Sequence, residues 1–253
     1  MLLPARSLRC DKLSKSFGGV QALASVSLEF PTSGIVAVIG PNGAGKTTLI
    51  NVITGFLRPN IGRAFLGDCE LTRLPAHKIA RLGIARTFQD LRLITQVSVL
   101  ENVLVARSNQ KGEDLWRALF RIGVAVEQAK NRDAAMHWLH YVGLDGAARE
   151  PAGELSYGQQ KLLTLACCLA TEASILLLDE PVAGVHPGMI EKILGLLREL
   201  RRLDKLVVFI EHDIASVREV ADSVIVMDHG KTIAQGKPSD VLERPEILEA
   251  YVG

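Results

Sequence analysis

Gly34-Ile35-Val36-Ala37-Val38-Ile39-Gly40-Pro41-Asn42-Gly43-Ala44-Gly45-Lys46-Thr47-Thr48 joins an apolar run, a glycine-rich loop and the start of a helix. Gly34–Ile39 is nearly continuous in apolar residues, which suits a strand buried on both faces of a parallel sheet. Gly40–Thr47 fits the pattern G-x-x-x-x-G-K-[ST]. Its glycines let the backbone curl so that successive N–H groups point inward at a phosphate. The helix expected over Lys46–Gly55 adds its positive dipole end to the same spot. Lys46 can then reach the outer phosphates of a nucleotide, and the Thr47 hydroxyl can ligate Mg2+. A glycine-rich turn with a chance lysine is the plain alternative. The placement between a buried strand and a helix argues against it, because the phosphate cradle needs that context.

A second stretch, Ile175-Leu176-Leu177-Leu178-Asp179-Glu180, is an apolar strand ending in two acids. A buried strand delivers such carboxylates to the carboxyl edge of the sheet, where ligands of open α/β sheets bind. Asp179 suits the hydration shell of Mg2+, and Glu180 is placed to polarise an attacking water. Two solvated acids in a strand-end turn are the alternative, and the phosphate loop weighs against it.

The rest of the chain fits around these stretches. Strands are expected at Ser7–Cys10 and Ser25–Phe30, with Phe17-Gly18-Gly19 turning between them, and Ala64–Leu66 reads as an edge strand. Pro75–Leu82 reads as a short helix. Between Leu93 and Ala148 leucine, alanine and charged residues take over with helical spacing, as in Val126–Val142, so this region reads as a helical insert. After Pro151 strands and helices alternate again. Helix 159–170, strand 175–178, helix Gly188–Leu203, strand Leu206–Ile210, helix Ile214–Ala221 and strand Ser223–Asp228 are expected in turn, then a turn-strand and a helix near Pro245–Tyr251. Gln110–Asp114 reads as a solvated loop. Strands alternating with helices predict an α/β fold on a mostly parallel, doubly wound sheet.

Composition limits the alternatives. At 253 residues a soft prior allows one or two domains of roughly 150 residues each, and a core of this size needs no disulfide or metal staple. A formal net charge of +1 gives no electrostatic footprint for nucleic acid. Cys10, Cys69, Cys167 and Cys168 show no metal spacing and read as buried, reduced thiols. The start of the chain lacks the apolar stretch of a secretory leader, so none is expected. Leu162–Leu178 is shorter than the ~20 residues a membrane span needs, and it reads as a buried helix followed by a buried strand.

Leu155-Ser156-Tyr157-Gly158-Gln159-Gln160 separates this chain from other phosphate-loop proteins. Ser156 and the Gly158 N–H precede an expected helix, which makes a second anion-binding helix start. An ordinary helix N-cap would also use Ser156. The stretch resembles the L-S-G-G-Q signature of ABC ATPases, with Tyr157 in place of the first glycine. Further motifs fall in the family's order. Gln89, in Arg86-Thr87-Phe88-Gln89-Asp90, matches the glutamine that contacts the metal and water region. His212 matches the switch histidine, which bridges the γ-phosphate and the catalytic glutamate. Phe17 occupies the place of the adenine-stacking aromatic, and a core phenylalanine is its plain reading. Pro181–Pro187 matches the loop that meets the opposite subunit. Ile53-Thr54-Gly55, Ile210-Glu211-His212-Asp213 and Ala250-Tyr251-Val252-Gly253 add to a resemblance that spans essentially the whole chain. Within the family it is most similar to the branched-chain amino acid importer ATPases of bacteria, the larger of their two ATPase types. His186 departs from the asparagine usual there.

The resemblance implies a single ABC ATPase domain over 1–253, a P-loop NTPase with a mixed or parallel core sheet. Residues 1–92 and 151–253 would form the core with an antiparallel β subdomain. Residues 93–150 would form a helical subdomain extending into the signature helix. It implies ATP and Mg2+ as cofactors. Gly40, Pro41, Asn42, Gly43, Ala44, Gly45, Lys46, Thr47, Thr48 and Phe17 would lie on the nucleotide in one chain, and Ser156, Gly158 and Gln159 in the other. Thr47, Gln89 and Asp179 would hold the metal; Glu180, His212, Lys46 and Gln89 would carry catalysis. The implied partners are a second ATPase subunit, identical or paralogous, transmembrane permease subunits and, indirectly, a substrate-binding protein, with no nucleic acid. The implied place is the cytoplasmic face of the membrane, peripherally attached. The expected cargo is a branched-chain or other hydrophobic amino acid. A urea or short-amide importer of the same subfamily is the nearest alternative. A soluble ABC ATPase would bring paired cores or long coiled-coil arms, and a small-molecule kinase has no use for the signature or the switch histidine.

Overall fold

The computed structural model describes residues 6–88, 91–107, 124–245 and 247. The chain separates into two compact units: one of Met1–Arg86, Ser174–Ala183 and Ile190–Gly253, the other of Thr87–Ala173 and Gly184–Met189.

The first unit carries two sheets. One has the order β2-β1-β4-β5 and is antiparallel, from strands β1 (Leu8–Phe17), β2 (Val20–Glu29), β4 (Ile61–Leu66) and β5 (Cys69–Glu70). Gly18 and Gly19 join β1 to β2 at positive φ, the backbone a two-residue hairpin requires. The other has the order β10-β9-β3-β8-β7-β6. Its strands are β3 (Gly34–Ile39), β6 (Ile84–Arg86), β7 (Ile175–Asp179), β8 (Leu206–Ile210), β9 (Ser223–Asp228) and β10 (Lys231–Gly236). All its pairings are parallel except β9 with β10. β7 and β8 are buried at every position and β3 at all but Gly34, as strands covered on both faces must be.

Register decides what the second sheet can do. Val38 lies beside Ile210, and Ile210 beside Asp179. The carboxyl ends of β3, β8 and β7 are therefore neighbours, and the loops leaving them open at one edge. Helices α1 (Lys46–Ile53), α2 (Ala76–Arg81), α7 (Ile214–Val220) and α8 (Pro238–Val241) belong to this unit, together with most of α6 (Pro187–Leu200). Its core runs through Leu8, Leu23, Val36, Leu49, Ile53, Leu177, Val208 and Ile225, all at most 2% exposed.

The second unit is helical, with α3 (Val99–Ala106), α4 (Val124–Val142) and α5 (Tyr157–Ala170) packed pairwise. Val103, Leu139, Leu162 and Leu169 are fully buried within it. Ser98 and Glu101 form a reciprocal capping box at the start of α3, and that bond holds the Glu101 carboxyl below its ordinary pKa. Asn102 is buried and satisfied: its Nδ2 donates to the carbonyls of Ile94 and Ser98, and its Oδ1 accepts the Ile94 N–H. No helix among the described residues is long and apolar enough to cross a membrane.

Several sequence expectations are corrected. Ala64–Leu66 is not an edge strand: it lies within β4, between β1 and β5. The β1–β2 hairpin is longer than expected: cross-strand pairing continues through exposed residues to Phe17 and Val20, beside the Gly18-Gly19 turn. β6, only Ile84–Arg86, is too short to show a period. The helix expected at 159–170 begins at Tyr157, so Gly158 lies inside it rather than before it. Gly188–Leu203 resolves into α6 and a 3-10 turn over Arg201–Leu203. Cys10 and Cys168 are buried, but Cys69 and Cys167 are only half-buried. Gln110–Asp114, Gln89, most of Pro245–Tyr251 and the ending Ala250–Gly253 lie outside the described residues.

Candidate functional site

The glycine loop between β3 and α1 is shaped by close packing. A Cβ at Gly40 would stand 2.0 Å from the Met227 carbonyl oxygen, and one at Gly45 would stand 2.3 Å from that of Ala22. Gly45 also takes the left-handed conformation that begins α1, and no side chain caps that helix start. The first N–H groups of a helix have no intrahelical partner and face its N-terminal end, so this loop presents backbone donors and a positive dipole together. Lys46 is buried, and its Nζ donates to the carbonyls of Gly40 at 2.7 Å and Pro41 at 2.9 Å, which hold the ammonium inside the curl of the loop. Burial lowers its pKa, while the negative charges of Glu180 and Asp179 pull it back up. Thr47 is exposed and Thr48 half-buried on the first turn.

β7 brings its acids to the same edge. Asp179 is buried, and its Oδ2 accepts from Arg86 Nη2 at 3.1 Å, an ion pair with both side chains within 6% of full burial. Arg86 Nη1 also donates to Asn51 Oδ1 at 2.5 Å and Thr54 Oγ1 at 3.3 Å on the last turn of α1. Glu180, one residue past the strand, has φ +49, and its N–H donates to the Ile210 carbonyl at 3.1 Å. A non-glycine residue in the left-handed region costs of order 1 kcal/mol, so its neighbours must impose it. His212, after β8, approaches with Nε2 3.2 Å from Glu180 Oε1. The sequence reading left Arg86, Asn51 and Glu211 without a role, although Arg86 and Glu211 stand in motifs it singled out. A charged residue within or directly after an apolar strand was the available signal.

In the second unit Ser156 and Gln159 cap each other at the start of α5. Ser156 Oγ accepts the Gln159 N–H at 3.4 Å, and Gln159 Oε1 accepts the Ser156 N–H at 2.9 Å. The N-cap reading of Ser156 is therefore realised. A Cβ on Gly158 would come 2.9 Å from Met189 Cγ, and one on Gly184 would come 3.3 Å from the Tyr157 ring. His186 Nδ1 accepts the Gly188 N–H at 3.3 Å.

Phe17 is no core residue: it is 45% exposed, with Lys15 Nζ 5.2 Å from its ring centre. Gln89 falls outside the described residues. Lys46, Asp179, Glu180 and His212 thus meet at one sheet edge, while Ser156, Gly158 and Gln159 belong to the other unit. The edge offers a cation and backbone donors for phosphate, hard oxygen donors on Thr47 and Asp179, and a carboxylate–imidazole pair able to orient a water. Oxygen donors of this kind suit Mg2+, which keeps most of its waters and takes one or two carboxylates plus phosphate. Among the described residues no cluster of three or more His, Cys, Asp or Glu could hold a metal alone.

The family model described as ABC transporter matches residues 23–183. The chain is 39% identical over 248 residues to the high-affinity branched-chain amino acid transport ATP-binding protein LivG of Escherichia coli K12, covering 97% of both chains. It is similar to the ADP conformation of MJ1267, an ATP-binding cassette of an ABC transporter, with TM-score 0.85 and 34% identity, covering 98% of this chain and 99% of that one. It is also similar, with TM-score 0.76 and 26% identity, to the dimeric post-hydrolysis structure of the cassette MJ0796 bound to ADP and phosphate, covering 91% and 98% of the two chains.

Proposed function

This chain belongs to the ABC transporter family of ATP-binding proteins, and from that premise we propose that it powers an importer of branched-chain amino acids. It is a nucleotide-binding ATPase whose hydrolysis of ATP to ADP and phosphate is coupled to transport. The amino-acid cargo is carried over from LivG, since no residue of this chain is expected to touch it.

In the proposed mechanism Gly40–Thr48 cradles the phosphates and Lys46 neutralises charge on the outer ones. Phe17 offers its exposed face to the adenine. Thr47 and Asp179, with Gln89, would hold Mg2+, which would supply charge neutralisation to the phosphates. Glu180 accepts a proton from the attacking water, and His212 fixes the Glu180 carboxylate against the γ-phosphate. The reaction needs positioning and charge neutralisation rather than covalent chemistry. Ser156, Gly158 and Gln159 of a second ATPase subunit, identical or paralogous, close over the nucleotide; the similar cassette MJ0796 is dimeric in its post-hydrolysis state. The helical unit passes the motion to permease subunits. These hold the chain peripherally at the cytoplasmic face of the membrane, with a substrate-binding protein acting on the far side. The chain would form one ATPase domain over 1–253, with the helical segment 93–150 inserted in the sequence of its core.

One observation carries this mechanism: the 3.2 Å approach of His212 Nε2 to Glu180 Oε1, at the edge where Lys46 is buried in the glycine loop. Glu180→Gln should lower ATP turnover about 10²–10⁴-fold while leaving ATP bound, and should abolish leucine uptake in cells holding only that copy. Wild-type hydrolysis by the variant would remove Glu180 as the base. Lost hydrolysis with normal leucine uptake would remove leucine as the cargo.

A further inference from the structure

Glu211 is 2% exposed and sits directly after β8, in a place where a carboxylate needs a reason. Burying such a charge is unfavourable by several kcal/mol unless hydrogen bonds replace its water. Its two oxygens do different work. Oε1 accepts the Val182 N–H at 3.0 Å, and Oε2 accepts the His212 N–H at 3.1 Å. Val182 lies two residues beyond Glu180, so this one side chain ties the loop leaving β7 to the loop leaving β8. These two backbone groups are donors, and an ionised carboxylate is acceptor-only. A glutamine would turn an NH2 toward one of them. Charge-assisted bonds of this kind are about twice as strong as neutral ones.

What Glu211 braces is strained. Glu180 holds a left-handed backbone, and its own N–H donates to Ile210, the residue before Glu211. Ala183 N–H donates back to the Glu180 carbonyl at 3.3 Å. Glu180 is thus fixed by β8 on one side and by a turn on the other, and Glu211 holds that turn through Val182. The same carboxylate fixes the backbone of His212, whose ring must meet Glu180. Joining both members of the pair points to a role in keeping their separation.

We infer that Glu211 is a positioning residue for ATP hydrolysis, which sets the Glu180–His212 geometry from behind by accepting the backbone N–H groups of Val182 and His212. This rests on the reading of Glu180 and His212 as the pair that orients the water. A misplacement of about 1 Å in such a pair lowers rate by up to about 10²-fold.

The test compares purified wild type, Glu211→Gln, His212→Ala, Glu180→Gln and the Glu211→Gln/His212→Ala double variant. ATP affinity is measured by calorimetry and hydrolysis by single turnover, both well below each variant's unfolding temperature. Glu211→Gln should keep its ATP affinity within about twofold and lose about 10- to 10²-fold in hydrolysis rate. Most of that loss should disappear in the His212→Ala background, because Glu211 acts on the Glu180–His212 pair and that pair is already broken there. A lower melting temperature with an unchanged rate, a fall in affinity as large as the fall in rate, or full additivity with His212→Ala would each overturn the inference. If Glu211→Gln does not fold, Glu211→Asp takes its place, with the same expected split and the same refutations. Should Glu180→Gln and His212→Ala both hydrolyse ATP normally, the underlying reading fails. Should they be inactive while Glu211→Gln is normal, only this inference fails.

Discussion

Two helix starts in this molecule are expected to face phosphate, and they are built in opposite ways. α1 begins at Gly45 with no side-chain cap, and a buried lysine is held in the loop before it. α5 begins at Ser156 with a complete capping box, in which Ser156 and Gln159 satisfy each other's N–H groups. The first start depends on tertiary packing: Gly40 and Gly45 are pressed against the carbonyls of Met227 and Ala22, where no Cβ fits. The second is a local device that needs only its own residues. The difference teaches that a phosphate cradle in the core is an outcome of the sheet around it. The signature start is preassembled, and Gln159 must exchange its carboxamide's bond to use that group elsewhere.

Lys46→Ala breaks the comparison most strongly. Removing the cation should lower ATP hydrolysis about 10²–10³-fold, the scale seen when one preorganised donor is deleted. ATP affinity by calorimetry should fall with it, and unchanged affinity would show that the loop is a packing element only. Ser156→Ala and Ser156→Asp sharpen the other side. Alanine removes the cap and should cost about 1 kcal/mol of stability. Aspartate is as good a cap and should restore stability, yet its charge should repel the partner's γ-phosphate, so turnover should stay low. If Ser156→Asp restores turnover along with melting temperature, Ser156 is a cap and nothing more.

A third helix start gives the smallest effect. Asp213 caps α7, accepting from the N–H groups of Ala215 and Ser216 and from the Ser216 hydroxyl at 2.5 Å. The Ser216 hydroxyl bond, against some desolvation, holds this carboxyl below its ordinary 3.8. A carboxyl depressed in the fold adds stability that is complete above the unfolded value and is lost as pH falls through the lower folded one. Acid titration of melting temperature should therefore show a loss below about pH 3.8 that Asp213→Asn lacks. Identical acid limbs in the two proteins would refute the assignment.

Legibility followed the length scale of each signal. β3 and β8 end where their apolar runs end, because full burial leaves a continuous hydrophobic trace. β6 is three residues long and carries no such trace. β4 looked like an edge because the strand that covers its outer side, β5, is only Cys69–Glu70, too short to leave a pattern of its own. The phosphate loop and the acids at the end of β7 were readable because their chemistry demands fixed residue types at fixed spacing. Glu211 and Arg86 stood inside recognised motifs, yet Glu211 reaches the turn after β7 and Arg86 reaches α1 and β7, so their work was not visible.

The sequence by itself determined the α/β character, the phosphate loop, the acids at the end of β7, the signature stretch and the family to which these belong. Each is written in contiguous residues whose backbone freedom, charge or hydropathy acts over one loop or one turn. Only the tertiary structure decided that β3, β8 and β7 end side by side, that Arg86 pairs with Asp179, and that Glu211 braces the loops of Glu180 and His212. Those contacts join residues far apart in the chain: Arg86 and Asp179 are 93 positions apart, and Val38 pairs with Ile210 from the other half of the chain. They exist only once sheet register and burial have removed the water that would otherwise satisfy every charge involved.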